Sequence, residues 1–559
     1  MSDLTQMDTR LRVVLGWHMH QPDYRDPESG EYRLPWTYLH AIKDYTDMAA
    51  HLESESGARA VVNFTPVLLE QVEDYANQIH AYFFTGQPLR DPLLRALAAE
   101  RFPESPRHRR ELMAWALRAN RERLVAAYPA YFALAQRADA QLADPTAVPD
   151  EAFLADLLTW YHLAWVGETL KRSSAFVKGL ISQQSGYEPR QRREFVREMG
   201  IWIADVIPRY RRLADAGRIE LSMTPYSHPI VPLLIDFRSA REAMPDVPLP
   251  ETRYPDGLTR AHWHVEEGLK VFERVFSRRP RGCWPSEGAL SEATLKLLGE
   301  YGFDWTVSGA AVLGHSDPGA PLTAAYRLGG EGCACFFRND ELSDRIGFQY
   351  ANWHGDDAVA NLVHALESLA PTDPGGIVTI FLDGENAWES YPANGYYFLE
   401  GLYRALSHHP LLKLTTFSEA LDEGLPVRTL PRLVAGSWVY GTFSTWLGSP
   451  DKNQGWELLS RAKAAFDAVL RDRHLTPPAH ADVLRRLAIC ESSDWFWWLG
   501  DYNPQEAVSD FEKLFRRHLT ALYRYLGESP TPELAHVLSR GQGQPEGGGV
   551  MRQSVENLE

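Results

Sequence analysis

The chain has 559 residues, too many for one simple core, so two or three structural units are expected. Charged residues make up 23% and hydrophobic ones 44%, the balance of a globular protein in water. A formal net charge of −17 argues against nucleic acid or a membrane as partner, since both favour a basic face, and leaves neutral substrates open.

In chain order, the segment Met1 to Arg10 lacks a basic start followed by an apolar stretch, so no signal peptide and a cytoplasmic location are expected. The first apolar run, Arg12 to Trp17, reads as a strand far too short to cross a bilayer. It leads directly into His18-Met-His20-Gln21-Pro22. Ala60 to Phe64 is the next strand. From Pro92 the pattern turns helical, as in Arg110 to Arg118 and Phe153 to Tyr161, and a further helix covers Glu194 to Ala216 up to Gly217. The span of about 92–216 therefore reads as a helical insertion in a barrel connection.

Strands follow at Ile219 to Met223, Gly282 to Pro285, Trp305 to Ser308 and Ile377 to Leu382. Strands spaced this widely, with helical patterns between them, indicate a parallel α/β arrangement. After Pro431 the helical patterns Asp451 to Arg471, Pro478 to Cys490 and Gln505 to Leu526 define a carboxy-terminal helical unit, 431–540, expected to complete the active site. The stretch 541–559 has no hydrophobic pattern and reads as disordered.

Several strand ends carry chemistry. Ile377 to Leu382 is a buried run with five apolar residues of six, and Asp383, Glu385 and Glu389 follow it. Catalytic groups are mounted at such ends in α/β proteins. Crowded, partly desolvated carboxyls have raised pKa values, as a general acid needs, whereas a solvated acidic turn would not. Glu287 stands between Trp284-Pro-Ser286 and Gly288, on a constrained strand-to-loop junction; the competing role is the approach to a helix cap at Ser291. Two carboxyls on separate strand ends suit the cleavage of a glycosidic bond.

His18-x-His20 can bind metal or donate to ligand hydroxyls. Pro225 and Pro229 fix the backbone around His228, as suits a ligand contact or a rigid turn. The loop Gly436 to Gly448, with Trp438 and Trp446, offers sugar platforms or a docking surface. Asp494 to Trp498 places aromatics around most of a helix, so some must be packing. Cys333 and Cys335 have no second pair at metal spacing and, with the other two cysteines, read as reduced buried thiols. No metal and no cofactor is expected.

The succession His18-Met-His-Gln-Pro22, Thr224-Pro-Tyr-Ser-His228-Pro, Cys283-Trp-Pro-Ser-Glu287, Leu382-Asp383-Gly-Glu-Asn386 and Gly436-Ser-Trp438 resembles the five ordered motifs of glycoside hydrolase family 57. The similarity runs from about Leu11 to about Leu526 and takes in Phe337 to Phe348 and Ser493 to Trp498. It implies a distorted (β/α)₇ barrel (residues 1–430, with the insertion) followed by a helical domain, acting on α-glucans with retention of configuration. Carried onto this sequence, Glu287 matches the nucleophile and Asp383 the general acid/base. His20, Gln21, His228 and Trp284 match substrate-contacting positions, and Trp438 an aromatic of the final motif. Substrate contacts are also expected from His18, Glu385, Trp388, Trp446 and Asp494. The wording looks most like the α-amylase and amylopullulanase branch, which implies hydrolysis of α-1,4 bonds, with α-1,6 bonds a further target, in glycogen, starch or malto-oligosaccharides. A 4-α-glucanotransferase using the same carboxyls is the nearest alternative. A metal-dependent deacetylase or a non-catalytic glucan-binding protein is more distant.

Overall fold

The computed structural model describes residues 8–543 and 551–552. Its ten strands are β1 (Leu11–Met19), β2 (Ala60–Phe64), β3 (Ile219–Met223), β4 (Gly282–Cys283), β5 (Trp305–Gly309), β6 (Ala325–Leu328), β7 (Ala334–Arg338), β8 (Ile377–Asp383), β9 (Leu412–Leu414) and β10 (Val427–Leu430). Seven of them, in the order β1-β2-β3-β4-β5-β7-β8, form a parallel sheet that closes where β8 pairs with β1 and Arg338 meets Thr379. This is the expected seven-stranded barrel. The other three extend it: β6 lies antiparallel on β7, β10 pairs with β6, and β9 takes Leu11 to Val13 of β1. The short β2 reaches only Gly16 to Met19 of β1, so β9 supplies partners that β2 does not.

All six strands expected from apolar runs are present. The segment carrying Cys333 and Cys335 also reads as a strand from the sequence, and β7 lies there. The strands β6, β9 and β10 were not foreseen, because three or four residues carry too little pattern, and Arg428 and Thr429 of β10 are exposed. β4 keeps only two residues, since Pro285 has no N–H for the ladder.

The barrel interior is filled by aromatic rings lying against glycines. Trp284 stacks on Phe381 with centroids 4.1 Å apart and planes 6° apart. Gly16 pairs with Phe381 across the β1–β8 ladder, and a Cβ there would meet the Phe381 ring at 2.0 Å. Trp305 occupies the equivalent space over Gly282, where a Cβ would come within 1.9 Å. The absent side chains are what let the rings in.

Between β2 and β3 the chain is helical, including Pro66–Thr85, Pro92–Ala98, Pro106–Trp115, Pro129–Ala143, Glu151–Trp165 and Pro189–Asp215. Local chemistry sets the ends: Asp91 accepts from the N–H groups of Leu93 and Leu94, Asp150 from that of Phe153, and Gly217 leaves the last helix at φ 65°. Beyond Pro431 lie Pro450–Asp472, Pro477–Cys490, Ser493–Trp498 and Gln505–Leu526. Among the described residues no helix is long and apolar enough to cross a membrane. All four cysteines are buried and free.

The expected disorder of 541–559 needs correction at its described residues. Gln542 N–H bonds Asp501 O at 2.7 Å and Gly543 N–H bonds Asn503 O at 3.1 Å, so the chain is pinned there. Arg552 lies over the rings of Trp497 and Tyr502, at 4.8 and 4.4 Å. Residues 544–550 and 553–559 lie outside the described ones.

Candidate active site

Because the seven strands are parallel, their carboxyl ends share one rim. β1 brings His18 and then His20, β4 leads into Glu287, β7 ends at Arg338 and β8 at Asp383. The β1–β8 register sets His18 beside Asp383. A cavity of about 410 Å³ opens there, and both Glu287 and Asp383 line it.

Glu287 is carried by a kink. Its φ is 58° and that of Gly288 is 59°, a left-handed pair in which only the glycine is at ease. Trp438 holds the kink from both sides: its backbone N–H donates to Glu287 O at 3.1 Å and its indole Nε1–H to Oε2 at 2.9 Å. The carboxyl is only 15% exposed. Burial, followed by the negative charge of Asp383, pushes it up to about 8, while the indole N–H favours the ionised form. Asp383 closes a regular strand, and its Oδ2 accepts from Asn386 Nδ2 at 2.8 Å. Burial raises its carboxyl to about 6, against the pull of Asn386, His20 and Arg338. The two groups titrate as a pair, which therefore keeps one proton near neutral pH.

Behind them three imidazoles form a relay. Asn63 uses Nδ2 to donate to Ser222 Oγ at 3.0 Å, so its Oδ1 accepts from His18 Nδ1, 2.7 Å away. His18 Nε2 then accepts from His228 Nε2 at 3.1 Å, and His228 Nδ1 accepts from the Ser493 hydroxyl at 2.7 Å. Burial lowers His18 to about 3 and His228 well below the usual range, so both rings are neutral. His20 differs. Thr65 gives its own proton to Met19 O, so Thr65 Oγ1 accepts from His20 Nδ1 at 2.8 Å, while Nε2 meets Asp494 Oδ2 at 2.9 Å. Both nitrogens of His20 are thus engaged, one by Thr65 and the other by Asp494. The His20 ring stacks on that of His228 at 3.8 Å, and its proximity favours the ionised Asp383.

His20, His228 and Asp494 offer donor atoms within 4.8 Å of one another, the one such group among the described residues. Their ring nitrogens are already spent on Thr65, Asp494, His18 and Ser493, so an ion would have to break that relay to bind.

Of the expected substrate contacts, His18, His20, Gln21, Glu385, Trp438 and Asp494 line the cavity with the two carboxyls. Four do not. Trp284 is fully buried beneath the rim, between Phe381 and Trp438. Trp388 packs against Trp17 and donates to Gly384 O at 2.9 Å. Trp446 is fully buried beside Trp497. His228 is 1% exposed and sits 4.0 Å from Glu287 Oε1, behind the carboxyl and not before the ligand. These are supports for the site. Glu385 is buried, its Oε1 accepting from His20 N and Gln21 Nε2 at 3.1 Å each, and burial raises its carboxyl well above the usual range.

Sequence reasoning missed Arg338 as a site residue. It donates to Phe381 O at 2.6 Å and to Asp340 and Asp344 at 2.8 Å each, and lies 5.2 Å over the Trp438 ring. An arginine closing the apolar run Ala334 to Phe337, with acids two and six residues on, was the available signal.

A closed parallel barrel that brings two largely buried carboxyls to one cavity at its strand ends is the build of a glycosidase-type enzyme. The chain belongs to glycosyl hydrolase family 57, whose family model matches residues 14–432. Similar solved structures include a branching enzyme of this family from Pyrococcus horikoshii (TM-score 0.58, 18% identity, 94% of this chain and 93% of that one). Another is the branching enzyme from Thermococcus kodakaraensis (0.57, 18%, 99% and 97%), and a third the α-amylase AmyC from Thermotoga maritima (0.53, 15%, 94% and 95%). At these identities the likeness is one of fold. Among curated proteins none matches the sequence.

Proposed function

We propose that this chain is a retaining α-glucan hydrolase that cleaves α-1,4 bonds by double displacement. One observation carries the reading: Glu287 and Asp383 reach one cavity, close enough for the charge of one to raise the other's pKa. A retaining site needs one ionised and one protonated carboxyl, and the pair as built holds a single proton near neutrality. That proton favours Glu287, whose carboxyl is the higher of the two. When substrate brings a glycosidic oxygen to Asp383, the shared proton passes from Glu287 to Asp383, which leaves Glu287 ionised for attack and Asp383 able to donate.

Glu287, oriented by the Trp438 indole, attacks C1 while Asp383 protonates the departing oxygen, and a glycosyl ester forms. Asp383 then takes a proton from the incoming water, and Glu287 leaves. His20 nearby favours Asp383 as the anion, which suits this second step. We read 1–430 as the catalytic barrel, with its insertion at about 92–216, and 431–540 as a helical domain completing the site. Trp438, Asp494 and Trp497 of the latter stand on the cavity wall.

Transfer to a sugar hydroxyl is the second reading. Similar folds include two branching enzymes and a 4-α-glucanotransferase from Thermococcus litoralis (TM-score 0.50, 15% identity, 92% of this chain and 60% of that one). The test is product analysis on amylose, pullulan and maltopentaose. Hydrolysis releases one reducing end per bond broken, whereas transfer redistributes chain lengths and releases none. An enzyme inert on all three would defeat both readings.

A further inference from the structure

One part of the cavity wall is built from groups that bond cleavage does not use. His40 is 5% exposed yet lines the cavity. Its Nδ1 lies 2.6 Å from Asp44 Oδ2, and the other oxygen of Asp44 accepts from Lys43 Nζ at 2.7 Å. Asp44 is thus an acceptor, Nδ1 is the donating nitrogen, and Nε2 meets no hydrogen-bond partner among the described residues. Glu389 lines the same cavity, and among the described residues no hydrogen bond reaches its carboxyl. Asn120 is a third such group: its Oδ1 accepts from Glu122 N at 3.1 Å and Arg123 N at 2.9 Å, which leaves its amide N–H₂ to the cavity.

Aromatic surface accompanies these polar groups. Trp36, half-buried, lies 5.8 Å from Trp165, whose ring meets His40 edge-on at 5.5 Å. Both tryptophans line the cavity. An apolar ring face flanked by a few unspent hydrogen-bonding groups is how proteins bind a ring that is apolar on its faces and hydroxylated at its edge.

The wall stands on the Asp383 side. Glu389 is on the turn Asn386–Ser390, whose first residue bonds Asp383, and the turn Arg121–Val125 beside Asn120 packs on it. Glu287 is held from elsewhere, by Trp438. The acid protonates the oxygen of the sugar that departs, so the departing sugar lies on the acid's side.

We propose that Trp36, His40, Trp165, Asn120 and Glu389 bind the leaving-group glucosyl unit of the α-glucan, and so decide how strongly cleavage depends on a sugar beyond the broken bond. This rests on the functional reading above.

The test compares two substrates that place the same maltosyl unit over Glu287. Maltotetraose has a sugar leaving group, and α-maltosyl fluoride has none. In Glu389→Gln, and independently in His40→Ala, the ratio of kcat/KM for maltotetraose to that for the fluoride falls roughly tenfold, as for one lost hydrogen bond. A merely structural role lowers both constants together and leaves the ratio in place. An unchanged ratio in both variants overturns the proposal. A wild-type enzyme idle on both substrates sinks the functional reading, and this one with it.

Discussion

The two carboxyls are mounted in opposite ways. Asp383 ends a seven-residue strand paired with β1 along its whole length and with β7 at Thr379, and the β1 register sets its place opposite His18. Glu287 follows a two-residue strand, on a left-handed kink that Trp438 braces by bonding both its backbone and its carboxyl. Non-glycine residues in this region cost roughly 1 kcal/mol or more, so the Glu287 mount stores strain that neighbours must hold. The difference has a chemical counterpart. A proton donor and acceptor can tolerate some play, whereas a nucleophile must meet one carbon from one direction.

The largest effects should come from the carboxyls themselves. Glu287→Gln and Asp383→Asn each should lower kcat on amylose about a thousandfold or more, measured as reducing ends released. A variant of either with near-native rate would break the comparison at its root. Next comes the shared floor of the two mounts. Phe381→Ala removes the ring that fills the space over Gly16 and supports Trp284, and should cost about 3–5 kcal/mol in denaturant unfolding.

Trp438→Phe sharpens the contrast. It deletes the indole N–H that favours ionised Glu287, so kcat/KM should fall about 10- to 100-fold. The carboxyl at about 8 then rises further, and the alkaline limb of the pH–rate profile moves to higher pH. Asn386→Ala is the milder counterpart on the strand-mounted side. It removes the donor to Asp383, so the carboxyl at about 6 rises and the acid limb moves up, with a rate loss of only a few-fold. Equal limb shifts in both variants would show that the two mounts are not independent.

This asymmetry also explains what the sequence disclosed. Asp383 was legible because a long apolar strand with acids at its end is a pattern in the chain itself. Glu287 was legible through Pro285 and Gly288, the residues that make its kink. The tryptophans were not separable in this way. Trp438 lines the cavity while Trp284, Trp388 and Trp446 are buried supports, and an indole reads alike in either place until folding decides which face is covered. His40 and Glu389 acquire meaning only when β1's following helix and β8's following turn meet, a juxtaposition that no local pattern encodes. The parallel α/β arrangement was legible from strand spacing and the seven-stranded barrel from the resemblance of the ordered motifs, but β6, β9 and β10 are too short to register.

The central claim is that Glu287 becomes covalently attached to sugar. Incubation with 5-fluoro-α-glucosyl fluoride, a substrate whose ester intermediate hydrolyses slowly, followed by peptide mass mapping, tests it directly. The account predicts one 5-fluoroglucosyl adduct, on the peptide containing Glu287, and products of amylose cleavage released as the α-anomer. An adduct on Asp383, or β-anomer released with no adduct, would contradict it.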